Sequence, residues 1–285
     1  NRQEYNLPSG SKMFPNLGDI QWNTADGTSD YHSLQTRLER RLSNGLQWTA
    51  SYTWSHTIDD SPGTIDNQND RVDYSRFLAG LERANSNLDV RHRFVYSAVY
   101  ELPFGKGKQF GSGWNGITDA ILGGWQINPI LTLQSGLPFD LKSANNGVTT
   151  RPDIVKSISQ STDINAWFDT TAFVNPPLHD FTSGLTLPAG STCPSNDSCV
   201  FTRAGNAGRN IFTGPARKYL DLSIMKNFKI GERFNTQFRT EFFNFTNTPQ
   251  FSQPNGDITS GDFGKVRSTL YQQERQIQFA LKLSF

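Results

Sequence analysis

No apolar run in this sequence is long enough to cross a bilayer as a helix, and the mean hydropathy is only −0.55. That excludes a helical membrane span. It does not exclude a β-barrel, where half of each strand faces water or lumen and the average stays low. An excess of one charge is also missing. Lys and Arg total 27 against 26 Asp and Glu, for a formal net charge of +1, so nothing points to nucleic acid or an acidic partner. The chain opens on Asn1-Arg2-Gln3-Glu4-Tyr5, with no charged start leading into an apolar core, so no secretory signal is present. For an exported protein the expectation is that a leader was removed, or that the chain begins partway through a larger protein.

Residues that carry chemistry are sparse. The four histidines, His32, His56, His92 and His179, are scattered, and no pair has metal-ligand spacing. There is no Gly-x-Ser-x-Gly elbow and no Gly-rich phosphate loop. The expectation is a protein that is not an enzyme, with no cofactor and no metal. A dispersed Ser–His pair on a barrel rim, as in an outer-membrane lipase, is the weakest alternative. Asp66-Asn67-Gln68-Asn69-Asp70, continuing to Asp73, offers alternating oxygen ligands for calcium. Arg71 stands where such a loop wants Gly, and no bidentate Glu follows, so a solvated polar loop is the plainer reading. The two cysteines, Cys193 and Cys199, flank Pro-Ser-Asn-Asp-Ser. That short, turn-prone spacer suits a local disulfide in an oxidising compartment, with two free thiols as the alternative. No repeat with a period of 20–50 residues is evident, which argues against a propeller or solenoid.

What the chain has in quantity is aromatic residues, 12% in all, arranged in alternating segments. In the terminal segment Ile277, Phe279, Leu281, Leu283 and Phe285 share one parity, against Gln276, Gln278, Ala280, Lys282 and Ser284. A strand built on that pattern has one apolar and one polar face. A soluble sandwich strand would show the same alternation. The closing aromatic residue resembles the terminal strand of bacterial outer-membrane barrels, which their assembly machinery reads.

Along the chain a short strand is expected near residues 20–24 and a longer one over 31–42, with Leu34, Thr36, Leu38 and Leu42 on one parity. Asn44-Gly45 is a hairpin turn, since both residues tolerate positive φ. After it Leu46, Trp48, Ala50, Tyr52 and Trp54 alternate without a fault. Further strands are expected over 91–102, 124–134, 137–143, 219–228, 233–245 and, more weakly, 261–270, giving about nine or ten in all. Pro129 cannot donate to a ladder, so its strand should be bulged or irregular there. Gly231-Glu232 reads as a turn. Residues 57–88 and 144–215 lack a sustained period and read as long exposed loops, the second with a short ordered piece at Ala166-Trp167-Phe168. Arg37, Glu39, Arg239 and Glu241 fall on the polar faces, where they would pair in ladders across neighbouring strands. Trp48, Tyr52, Trp54, Tyr96, Tyr100 and Trp125 suit interfacial girdles, or else the core of a soluble β-sandwich.

Several ordered stretches resemble a known family. They are Asn85-Ser86-Asn87-Leu88-Asp89-Val90-Arg91-His92-Arg93-Phe94, Val99-Tyr100-Glu101-Leu102-Pro103-Phe104-Gly105-Lys106-Gly107, Gly123-Gly124-Trp125-Gln126 and Gln134-Ser135-Gly136-Leu137-Pro138-Phe139. Leu220-Asp221-Leu222-Ser223-Ile224-Met225-Lys226-Asn227-Phe228 and Glu241-Phe242-Phe243-Asn244-Phe245-Thr246-Asn247-Thr248-Pro249-Gln250-Phe251 continue the set. Together they resemble the barrels of TonB-dependent outer-membrane receptors, in particular the Oar-like group with a carboxypeptidase-regulatory-like domain. The resemblance implies an antiparallel transmembrane barrel of about 22 strands around a plug. It further implies location in the bacterial outer membrane and energised uptake of a large solute. Residues 1–285 would then be the carboxyl-terminal part of the barrel, without plug, TonB box or first half of the wall. The implied partners are outer-membrane lipid, the barrel-assembly machinery acting on the terminal strand, TonB acting through a plug segment not in this chain, and a solute the residues do not identify. An autonomous small barrel serving as pore or adhesin is the alternative, followed by a soluble carbohydrate-binding β-domain.

Overall fold

The structure, a computed structural model, describes residues 27–60, 82–145, 148–194, 198–230, 234–271 and 273–284. Seven long strands form one wall: β1 Ser29–Ser43, β2 Leu46–Asp59, β3 His92–Glu101, β4 Trp125–Gln134, β5 Arg217–Ile230, β6 Phe234–Phe243 and β7 Gln276–Ser284. Each pairs antiparallel with the next in chain order, and a two-residue piece, Ala84–Asn85, extends the end of β2. Among the described residues β1 and β7 are the free edges.

The alternation of the sequence becomes a two-faced sheet because the register keeps parity from strand to strand. Leu34 lies opposite Trp54, and Tyr52 opposite Phe94. Phe94 meets Leu133, Leu131 meets Leu220, and Leu222 meets Phe242. Phe242 then meets Ile277, and Phe238 meets Leu281. A one-residue slip in any ladder would send half the wall's apolar side chains to the wrong face. On β7 this face is bare, with Phe279 and Leu281 68% and 71% exposed. The other face is mainly polar: Arg37, Thr53, Ser97, Thr132, Ser223 and Gln278 all fall on it.

Local chemistry explains the joints. Asn44 and Gly45 both take positive φ, 52° and 77°, as a two-residue hairpin twisted like its strands requires. Pro129 interrupts the β3–β4 ladder between the Ser97–Ile130 and Tyr100–Ile127 pairs without shifting its register. Its other neighbour is unaffected, since Leu222 of β5 sits directly opposite.

Three sequence expectations are corrected. Residues 137–143 are not a wall strand; Pro138–Phe139 pairs with Phe212–Thr213, and Ser143–Asn145 with Val148–Thr150. Residues 261–270 form turns and one isolated bridge, Phe251 to Thr269, because Phe263 and Val266 are drawn into a buried cluster and not along a ladder. Residues 144–215 hold short strand pairs around a hydrophobic core, with Ala166–Phe168 paired to Gln160–Asp163. Pieces two to four residues long are too short to show a period. The expected strand at 20–24 and the turn at Gly231-Glu232 lie outside the described residues.

Substituting Leu131 by Arg, in the middle of the apolar face, is expected to cost about 2–4 kcal/mol of stability in vesicles. Thr132→Arg, one residue on and facing the other way, should cost far less. Denaturant unfolding of the vesicle-embedded protein measures both.

Candidate functional site

The connections between wall strands are unequal in a consistent way. Strand directions put Asn44-Gly45, residues 102–124 and the β5-to-β6 connection at one end of the sheet, and the β2-to-β3, β4-to-β5 and β6-to-β7 connections at the other. At the long end the described parts of all three connections meet in one folded body, and this is the candidate site.

Its core comes from two of them. Phe139, Leu141, Trp167, Phe168, Phe173 and Phe212 of the middle connection close around Phe263 and Val266 of the last. Phe168 stacks on Phe212 at 4.6 Å between ring centres and meets Phe263 edge-on at 5.1 Å, geometries that add to plain area burial. Backbone bonds join the same segments: Trp167 N donates to the Gly264 carbonyl at 2.8 Å, and Lys142 N to the Gly256 carbonyl at 2.9 Å. The approach is close enough to require glycine. A Cβ on Gly256 would collide with the Asp140 carbonyl across the two connections, and within the middle one a Cβ on Gly136 would collide with the Gly214 carbonyl.

Buried ion pairs attach this body to the first long connection and to the wall. Arg151 and Glu82 form a pair at 2.9 Å, their side chains only 3% and 4% exposed. Arg209 bonds the Asp59 carboxylate at the end of β2 and donates to the Asp59 carbonyl at 2.8 Å. Beside it, Asn210 Nδ2 donates to the Asn85 carbonyl at 2.7 Å. Within the middle connection the half-exposed Arg203 grips the buried Asp153 through both terminal nitrogens, at 2.8 and 2.7 Å. Charges this deep stay folded only when paired and hydrogen-bonded. The sequence reading missed these residues. The partners stand 69 and 150 positions apart in the Glu82–Arg151 and Asp59–Arg209 pairs, so no local spacing marks them.

The middle connection also holds a three-stranded sheet of Leu185–Leu187, Leu178–Asp180 and Cys199–Phe201. Cys193 and Cys199 are joined by a disulfide, and Cys199 is buried with Leu178 and Phe201. Elsewhere in the same connection, Asp169 pairs with Lys156 at 2.8 Å. The Lys156 ammonium, followed by the Thr171 hydroxyl, holds its carboxyl down at about 2.

His32 and His56 lie directly opposite each other on β1 and β2, without completing a group of three metal-ligating side chains among the described residues. His56 meets the Asn85 side-chain oxygen at 2.9 Å, and His92 the Tyr52 hydroxyl at 2.9 Å. Among the described residues no group of three or more His, Cys, Asp or Glu is placed to hold a metal ion. Residues 66–73 lie outside the described residues. On the polar face, Arg37–Glu39 at 3.0 Å and Arg239–Glu241 at 3.4 Å pair along their own strands. This corrects the cross-strand ladders expected from sequence. The aromatic side chains fall towards the two ends of the apolar face: Tyr52 and Trp54 near the long connections, Trp48, Tyr100 and Trp125 near the short ones, and Tyr96 between, 6.2 Å from Trp48. Phe279, Leu281 and Leu283 line the apolar face of β7, and Phe285 lies outside the described residues. At the short end a cavity of about 690 Å³ is lined by Lys106, Asp119, Asn227, Gln237 and Lys282, among others.

A sheet apolar on one face and polar on the other, with long connections gathered at one end, is the wall of a membrane-spanning β-barrel. The chain belongs to the outer membrane beta barrel domain family, which it matches over residues 2–278. Neither the curated proteins nor the solved structures include a match to it. This is a protein of the bacterial outer membrane, with its apolar face towards lipid, its long connections extracellular and its short ones periplasmic.

Glu82→Ala leaves Arg151 without its carboxylate in a buried site and is expected to cost the extracellular body about 3–5 kcal/mol. Trp167, which is buried and bonded to the Thr213 carbonyl, reports the loss by fluorescence at lower denaturant, while the wall strands stay intact. Acid should loosen the same body. The folded pKa of Asp169 is below its ordinary 3.8, so its interaction is complete above that value and fades as the pH falls towards 2. Trp167 emission should therefore shift to the red as the pH falls from about 4 towards 2, and Asp169→Asn should remove part of that shift.

Proposed function

We propose that this chain is the carboxyl-terminal part of the barrel of a TonB-dependent receptor that captures a large solute at the cell surface and takes it into the periplasm. The observation that carries the reading is the fusion of the long extracellular connections into one body, cored by aromatic rings and tied by buried ion pairs to the rim of the wall. A passive pore needs no such structure. A receptor does, because a recognition surface must hold its shape while the lumen below it opens. The ordered family-like stretches along the wall favour the same class.

Two further features support it. Among the described residues the wall has two long free edges, Ser29–Ser43 and Gln276–Ser284, whose unpaired backbone groups cannot stand in hydrocarbon. More strands would complete the barrel, with a plug inside it to which TonB couples. The polar inner face would line the solute path. On this reading the protein is not an enzyme and needs no cofactor, and the apolar side chains Phe279, Leu281 and Leu283 of β7 present the strand that the assembly machinery reads. The solute is a large one, unidentified by any residue in the chain.

The test is the intact mass of the native polypeptide in detergent-extracted outer membranes. A mass well above the 32.0 kDa of this chain is expected, from the plug and remaining strands. A mass near that value would overturn the receptor reading in favour of a small self-closing pore or adhesin.

A further inference from the structure

The periplasmic connection 102–124 carries the helix α1, Gly116–Leu122, capped by Asn115, whose side chain accepts from Thr118 N at 2.8 Å. One side of the helix, Gly116, Asp119 and Ala120, lines the cavity under the ends of β5, β6 and β7. The opposite side presents Ile117, Ile121 and Leu122, which are 75%, 61% and 50% exposed. A helix of seven residues has little stability of its own, so its structure depends on what it packs against. In water this aliphatic face would pack against nothing.

The attachment of α1 indicates what covers that face. Trp125 belongs to the lipid-facing side of β4, and its indole N–H donates to the Ile121 carbonyl at 3.0 Å. Lys226, opposite Trp125 on the same side of the wall, bonds the Gly123 carbonyl and stands 5.0 Å over the Trp125 ring. The helix is thus fastened by two side chains of the lipid-facing side, at the short-connection end of the wall. Trp and Lys are the residue types that settle at a membrane interface, with apolar body in the chains and polar end at the headgroups.

We propose that α1 is an interfacial anchor, with Ile117, Ile121 and Leu122 resting in the phospholipid of the periplasmic leaflet where headgroups meet acyl chains. This apolar face turns away from the cavity, whose lining side chains Asn227, Gln237 and Lys282 belong to the polar face of the wall, and so would meet the bilayer that covers the lipid-facing side. The anchor fixes the height of β3 and β4 in the membrane and holds the rim of the cavity behind it. This inference does not depend on the receptor reading, because any barrel built from this wall has the same periplasmic end.

Spin labels at Ile117→Cys and Ile121→Cys test the proposal, in protein taken from outer membranes and reconstituted into phosphatidylethanolamine–phosphatidylglycerol vesicles. The native cysteines are disulfide-bonded and take no label. Gly113→Cys, where an added Cβ meets open space, is the aqueous reference. Heat-modifiable migration shows that each variant is folded, and Leu122→Cys replaces either that is not. Labels at 117 and 121 are expected to collide more often with oxygen than with a water-soluble nickel chelate, and the label at 113 the reverse. An aqueous pattern at 117 and 121 would overturn the anchor. So would shielding from both quenchers, which would mean that protein covers this face.

Discussion

Hydrocarbon offers no partner to a backbone N–H or C=O, and every other feature of this wall follows from that constraint. Strands must satisfy one another edge to edge, so the chain runs as an up-and-down meander in which each strand pairs with its sequence neighbours. Once the ladders are set, side chains have two directions left. The register from Leu34 through Trp54, Phe94 and Leu133 to Phe242 and Ile277 keeps every apolar set on the side where lipid will be. Even Pro129, which breaks a ladder bond, leaves the register unshifted, since a shift would turn the rest of the wall inside out.

Outside the bilayer the constraint changes, and so does the architecture. Water pairs with any exposed backbone group, so the extracellular connections need no continuous sheet. They are held by burial and by charge. Phe139, Phe168, Phe173, Phe212 and Phe263 form a core from segments far apart in the chain. Arg151 with Glu82, and Arg209 with Asp59, tie that core to the rim. Buried pairs of this kind add little net stability over an apolar substitute, but breaking one is costly. Their effect is to specify how the connections sit against each other and against β2. The same protein therefore has a wall set by backbone pairing and a cap set by side chains.

Much of the wall was legible from residues 31–54, 91–102, 124–134, 219–245 and 276–284, because a period of two over ten or more residues has few other interpretations. The Asn44-Gly45 hairpin was legible for a similar reason, since few residue pairs accept two positive φ values in succession. The cap was illegible. Phe263 and Val266 sit in a weakly alternating stretch that reads as a strand but serves as part of a core. Arg151 and Arg209 look like ordinary loop charges until Glu82 and Asp59 are seen beside them. Helix α1 also went unread, being seven residues within a Gly-rich connection, too short for a period to register.

The sequence by itself determined the faces of the strands, the hairpin and the local Cys193–Cys199 spacing, since all three depend on residues a few positions apart. Tertiary structure decided which connections share a core, which charges are buried together and where α1 sits against Trp125 and Lys226. Those contacts join positions up to 150 residues apart. The free energy that selects them comes from burial and from charge pairing, and it exists only once the distant segments have met.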